Sequence, residues 1–336
     1  MIRIREATDT DVAQIREIFE ATYGTDYAYS EFYEEPYLKK LIYSDDTLML
    51  VAEEAKSGQV VGTASVVLES GAYTDLVGEF GRLAVHPEYW GQEIGSLLLE
   101  ERLNRVGDRL HVGFMEARVS HPHSLKNGLR YGFAAVGFLP LKLRFGDERE
   151  NAAWLVKYFG EALDLRRNHP RIIPEAYRLA GLALDEVGLE RDFIVDEKAA
   201  PYPHGGDYEL QELTATGYSS LLRIERGRLR NREVFGPLRL HYGFFRLRAE
   251  RSNYLIARSE GHIAGGIGFT LDREENIARI FELICLEDHT VRLLLKELER
   301  KCREEYDICY VEIDVNAHSP RMQRTLLEMG YVPAAY

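Results

Sequence analysis

Cysteine is scarce in this chain of 336 residues. Cys285, Cys302 and Cys309 are the only three, all lie in the last quarter, and none forms a CxxC pair. That spacing gives neither a metal site nor a disulfide framework. It reads as small buried residues of a reducing compartment, with no metal expected. No apolar run reaches membrane-spanning length, and the start, MIRIREATDTD, has no signal-peptide core. A cytoplasmic protein away from membranes is therefore expected. Basic residues are also in deficit, 42 Lys and Arg against 55 Asp and Glu, for a net charge of −13. Such a balance argues against nucleic acid and anionic lipid as partners, and suits a cationic one better. What remains is ordinary globular composition, 45% apolar and long enough for two cores.

The most informative stretch is Phe80–Leu103, FGRLAVHPEYWGQEIGSLLLEERL. A buried-looking strand, Phe80–Val85, breaks at His86-Pro87 and passes a glycine-bearing loop into a leucine-rich helix at Gly95-Ser96. A helix start offers unpaired backbone N–H groups and the positive end of the helix dipole, which suits a phosphate or pyrophosphate. Gly91 and Gly95 let the main chain approach the anion, and Ser96 adds a hydroxyl. The expected cradle is Gly91, Gln92, Glu93, Ile94, Gly95 and Ser96; a plain strand-to-helix turn would use the same glycines.

With the later segment MEARVSHPHSLKNGLRYGFAAVGF, this stretch resembles the GNAT N-acetyltransferase superfamily. The resemblance covers about the first 160 residues. Arg3-Glu6-Ala7-Thr8-Asp11 is similar to the family's opening strand and helix entry, and Leu48–Glu53 with Gln59–Val67 to its next two strands. It implies acetyl-CoA, or another acyl-CoA, as co-substrate and a small-molecule or peptide amine as acceptor. It also implies that Leu83, Ala84 and Val85 offer backbone hydrogen bonds to the pantetheine arm. The sequence departs from the pattern in two places. Of the loop slots Arg/Gln-x-x-Gly-x-Gly/Ala, held here by Trp90, Glu93 and Gly95, only the last keeps its glycine. The family's tyrosine, often the acid that reprotonates the thiolate, is replaced by Gly128.

The chain also repeats itself. Leu48–Val67 parallels Asn253–Leu271, Phe80–Val85 parallels Phe281–Cys285, and Met115–Val119 parallels Tyr310–Val315. The expected fold is α/β: two GNAT-like mixed β-sheets flanked by helices and joined by a helical linker. The expected domains are 1–160, the acyl-CoA-binding unit; 161–205, the linker; and 206–336, a degenerate copy. In that copy the loop shrinks to LEDHTV, with Glu287 and Asp288 where phosphates would sit. Carboxylates there satisfy the dipole themselves and repel pyrophosphate.

Three side chains are candidates for catalysis. Glu79 stands on the strand before the loop, placed to take a proton from an ammonium acceptor; a solvated strand start explains it equally well. His121, beside Pro122 at a strand end, is a possible proton relay or a helix cap. Tyr131 lies three residues past Gly128, nearly one helical turn, and packs in the core unless the helix shifts. Tyr23, Tyr27, Tyr29, Phe32, Tyr33 and Tyr37, interleaved with carboxylates, suit an amine pocket or an amphipathic helix with packed rings. The reading is acyl-CoA-dependent N-acyltransfer by the first domain, the second shaping the acceptor site or a homodimer. The alternative is a catalytically weak acyl-CoA-binding regulatory protein.

Overall fold

The computed structural model describes residues 1–70, 76–213, 232–234 and 252–336. The basic stretch Arg223–Arg239 lies outside them except for residues 232–234. The chain forms two compact units. The first comprises Met1–Arg167, Arg178–Arg191 and Ala334–Tyr336; the second comprises Asn168–Tyr177 and Asp192–Pro333.

The first unit opens with β1 (Ile2–Glu6), α1 (Val12–Tyr23), α2 (Glu35–Ile42), β2 (Thr47–Glu54), β3 (Val60–Ser70) and β4 (Leu76–Val85). It continues with α3 (Ile94–Val106), β5 (Val112–Arg118), α4 (His123–Arg130), β6 (Ala134–Phe145) and β7 (Glu148–Tyr158). Its sheet runs β1-β2-β3-β4-β5-β7-β6, antiparallel throughout except where β4 and β5 lie parallel. The run Leu48–Ala52 is apolar without alternation because both sheet faces are covered. Met49 and Val51 pack with Ile15, Phe19 and Leu38 of α1 and α2, while Leu50 and Ala52 pack with Ile94 and Leu98 of α3. Successive side chains of a strand point to opposite faces, so each residue of this run has its own layer.

The α1 start is fixed by Asp11. Its carboxylate accepts from the Thr8 N–H at 2.8 Å, from the Thr8 hydroxyl at 3.0 Å, and from both Arg5 terminal nitrogens at 2.7 and 2.8 Å. Residues 178–191 belong to this unit through most of helix α5 (Tyr177–Glu186), whose Ala183 packs with Val136 and Val156. Ala335 pairs antiparallel with Gly137 of β6, and the Tyr336 N–H donates to the Val136 carbonyl at 3.1 Å.

In the second unit β8 (Arg171–Ile172) and β9 (Ile194–Val195) form a small parallel pair. The main sheet joins β10 (Glu209–Glu212), β11 (Arg232–Val234), β12 (Ser252–Ser259), β13 (His262–Asp272), β14 (Ile277–Cys285) and β15 (Tyr310–Ile313). Helix α6 (Thr290–Glu304) follows β14 and α7 (Pro320–Glu328) follows β15. Ile267 and Phe269 pack with Leu294, Leu295, Leu298 and Met322 in its core. The order strand, strand, strand, helix, strand, helix is that of β2 to α4. In both units the strand after the first of these two helices runs parallel to the first residues of the strand before that helix, β15 against Ile277–Ile280 and β5 against Val77–Glu79. The expected α/β class, two mixed sheets flanked by helices, is what the chain adopts.

Candidate functional site

The site begins where β4 loses a neighbour. Since β5 pairs with it only at Val77–Glu79, the two strands part beyond Glu79 and, among the described residues, leave an edge open. The His86 N–H donates to the Val61 carbonyl at 2.9 Å. In an antiparallel pair, successive residues turn their polar groups alternately toward and away from the partner. Ala84, opposite Thr63, therefore faces β3. Leu83 and Val85 turn their N–H and C=O to the open edge. Three donors arriving there mark the same edge. Thr22 and the Trp90 indole reach the Val85 carbonyl at 3.2 and 2.7 Å, and the Tyr23 hydroxyl reaches that of Leu83 at 3.1 Å.

A bulge shapes this edge, for the register of β3 and β4 shifts between Thr63 and Ser65, and Arg82 takes a φ of 54°. The bulge turns the Ser65 and Gly81 carbonyls toward α3, where the buried Arg102 donates to them at 2.9 and 3.3 Å and to the Leu98 carbonyl at 3.3 Å. Glu79 points over Gly81, where a Cβ would come within 3.1 Å of its Oε1. The Glu79 carboxylate accepts from Arg82 at 3.3 and 3.5 Å. Burial pushes the Arg82 guanidinium down, yet Glu79 and the rings of Tyr27, Tyr29 and Tyr37 outweigh it and hold its pKa above the ordinary value.

At the end of β4 a short 3-10 turn, Pro87–Tyr89, leads through Gly91 at φ 79° to Glu93 at φ 57°. The first bonds of α3 are the Ser96 and Leu97 N–H groups onto the Glu93 carbonyl, at 2.9 and 3.1 Å. The preceding amides are those a helix start leaves without an intrahelical acceptor. The missing side chain of Gly95 would point at Leu83, with Cδ2 at 3.5 Å. The first turn of α3 therefore lies directly over the open edge. Ser96 Oγ donates to Asn127 Oδ1 at 3.0 Å and ties this turn to α4.

Aromatic rings wall the edge on the α1 side. Tyr23 and Tyr27 stack with centroids 5.1 Å apart, and Phe145 of β6 lies 6.2 Å from Tyr23. The Arg118 guanidinium sits 3.8 Å over the Phe145 ring and bonds Glu150 at 2.6 and 2.9 Å.

Residues 45–125 match the family model of the acetyltransferase (GNAT) domain. This span contains β4, the loop and the start of α3. The chain carries a GNAT acetyltransferase domain. The domain is that of an N-acetyltransferase. No curated protein matches the chain. Solved structures similar to it include a GNAT-family acetyltransferase from Streptococcus pneumoniae, 18% identical, covering 47% of this chain and 100% of that one with a TM-score of 0.40. Another is the ribosomal-protein-S18-alanine N-acetyltransferase from Escherichia coli, 17% identical, covering 48% and 95%, TM-score 0.39. A third is a mutant spermidine N-acetyltransferase from Vibrio cholerae, 18% identical, covering 49% and 97%, TM-score 0.41.

In the GNAT domain the remaining candidates are spread apart. Tyr131 caps α4 and gives its hydroxyl to Glu100 of α3 at 3.3 Å, with burial and that carboxylate raising its pKa. His121 follows Ser120, which bonds Glu150 together with Arg118. Gly128 lies against the core. A Cβ there would meet Met115 Sδ at 2.8 Å and Leu155 Cδ2 at 3.1 Å, so the slot cannot aim a side chain at the β4 edge without displacing the packing. Sequence reading missed Arg82, Arg102, Arg118 and Phe145. Arg102 left a signal, a charge on the apolar face of α3 one turn from Leu98, Leu99 and Val106.

In the second unit the matching edge is treated differently. β11 pairs with β14 at Glu282–Ile284, beyond the stretch that β15 takes. Before α6, Glu287 accepts from Tyr208 at 2.7 Å, and Asp288 pairs with Arg321 at 2.7 Å.

Proposed function

We propose that the first unit binds one acyl-CoA, with acetyl-CoA as the natural choice, and transfers its acyl group to an amine. The observation that carries this reading is the run of edge-facing backbone N–H and C=O groups at Leu83 and Val85 leading to the α3 start. An amide-bearing pantetheine arm adds to such an edge as an extra strand would, while its pyrophosphate meets the amides of Gly91–Gly95. The arm then runs back along β4, and its sulfur comes to the fork where β5 departs, beside Arg82 and Glu79.

Glu79 is the candidate base for the incoming ammonium, with Arg82 holding its carboxylate in place. His121 and Tyr131 stand farther along α4 and β5 as secondary candidates, Tyr131 being committed to Glu100. The Leu83 N–H, turned to the edge and fixed by the bulge, polarises the thioester carbonyl; such preorganised donors supply much of the rate in acyl transfer. The second unit, a degenerate copy in this reading, takes no CoA because β11 lies along its edge and its own carboxylates occupy its helix start.

Calorimetric titration with CoA tests this, with one site per chain as the expected result. Two equivalent sites would overturn the assignment of the second unit, and none would overturn the reading as a whole. Turnover of acetyl-CoA with a panel of amines then separates an acyltransferase from a protein that only binds acyl-CoA.

A further inference from the structure

We propose that Tyr23 of α1 is the group that protonates the departing CoA thiolate. The inference rests on the CoA reading above and gives the reaction an acid that α4 does not supply. Gly128 has no side chain and its Cα faces Met115 and Leu155. The Tyr131 hydroxyl is on Glu100, and His121 stands past the end of β5. The Tyr23 hydroxyl instead lies on the open edge itself, 3.1 Å from the Leu83 carbonyl. The N–H and C=O of one strand residue face the same way, so this hydroxyl is next to the place where a thioester carbonyl meets the Leu83 N–H.

The surroundings of Tyr23 fit a donor. The Phe19 and Tyr27 rings pack on it from its own segment at 6.0 and 5.1 Å, Phe145 closes it from β6, and the Leu83 carbonyl of β4 accepts its hydrogen bond. Arg118 of β5 and Tyr33 are the charged and titratable groups that act on it. Burial raises the phenol above its ordinary value and Arg118 offsets part of that rise, so the hydroxyl keeps its proton at neutral pH and sits beside a cation that steadies a transient phenolate.

The step balances as follows. The amine nitrogen bonds to the thioester carbon, the C–S bond breaks with its electron pair on sulfur, and the Tyr23 proton passes to that sulfur. Glu79 first takes one proton from the ammonium and releases it to water; it then takes the second proton shed by nitrogen, which returns through water to the Tyr23 oxygen. The products are the N-acyl amine and CoA thiol.

Equilibrium titration of bound CoA tests the assignment without an acceptor. The thiolate absorbance of the complex is followed against pH, with desulfo-CoA as reference, for the full chain and for Tyr23→Phe. A hydroxyl donating to sulfur favours the thiolate, so the bound thiol should titrate about one pH unit lower in the unaltered chain than in Tyr23→Phe. Tyr131→Phe should cause no shift. Fluorotyrosine at position 23 keeps ring and hydroxyl but donates more strongly, and should lower the thiol further. Equal thiol titration in all of these proteins overturns the proposal for Tyr23 while leaving the CoA site intact. Failure of CoA to bind the unaltered chain overturns both.

Discussion

The Trp90 indole nitrogen donates to the Val85 carbonyl at 2.7 Å. Trp90 is otherwise well exposed, so a loop residue at the proposed phosphate site reports directly on the strand edge beside it. Pantetheine lying along that edge must share or displace this bond. Tryptophan emission should therefore change when CoA is titrated in, and the change should vanish in Trp90→Phe. Trp154, stacked on Phe114 with centroids 4.9 Å apart, supplies a constant background. A change that persists in Trp90→Phe would place the ligand elsewhere.

Glu93 occupies the loop slot where the family pattern has glycine, and it does so at φ 57°. A non-glycine residue pays about 1 kcal/mol for that conformation. Its carboxylate, paired with Arg130 at 3.2 Å, also brings negative charge to an anion site. Glu93→Gly should relieve both effects. The expected outcome is tighter CoA binding by calorimetry, several-fold at low salt, with the melting temperature unchanged or raised.

Installing the missing tyrosine should fail. Gly128→Tyr has no room between Met115 and Leu155, and the expected result is a marked fall in melting temperature with no gain in turnover. Even Gly128→Ala is informative. Helix propensity favours alanine by about 1 kcal/mol, whereas overpacking costs about 1–3 kcal/mol. A net loss of stability in denaturant titration is expected.

Glu79→Gln keeps the size of the side chain and removes the base. Turnover of the amine that serves as acceptor should drop by about 10²-fold, while the CoA dissociation constant stays within about twofold. A parallel loss of CoA binding would mean that the pair with Arg82 shapes the edge itself.

Acid should act through Asp11. Burial raises its pKa, but the Arg5 and Thr8 hydrogen bonds outweigh burial and hold it below the ordinary 3.8. The folded state thus binds fewer protons than the unfolded one in this range. The resulting stability is present above pH 3.8 and fades as pH falls through the depressed folded value. Asp11→Asn should lower the melting temperature at neutral pH, by at least about 1 kcal/mol of stability, and flatten its decline in acid.

Local chemistry made much of this protein legible. The apolar run Leu48–Ala52, the break at His86-Pro87 and the glycines before Ser96 declare strand, loop and helix within a few residues. The fold class follows from them. What sequence could not supply are meetings across long separations. Tyr23 finds Leu83 sixty residues away, and Arg102 finds Ser65 across 37. The positive φ of the bulge falls on Arg82 and not on the adjacent Gly81, so the sequence does not announce it. Tyr131 illustrates the reverse difficulty, since its place in the chain says nothing of Glu100 on the neighbouring helix.

The return of Ala334–Tyr336 to β6 has a bearing on how the chain is made. Synthesis delivers all of β1–β7 before residue 168, yet the Val136 carbonyl must wait for the Tyr336 N–H, and Val136 and Val156 for Ala183. Until then the outer strand of the first sheet has one flank unsatisfied, a segment a neighbouring nascent chain can pair with. The segment Ala334–Tyr336 then acts as a latch, fastened only after Asp192–Pro333 has emerged.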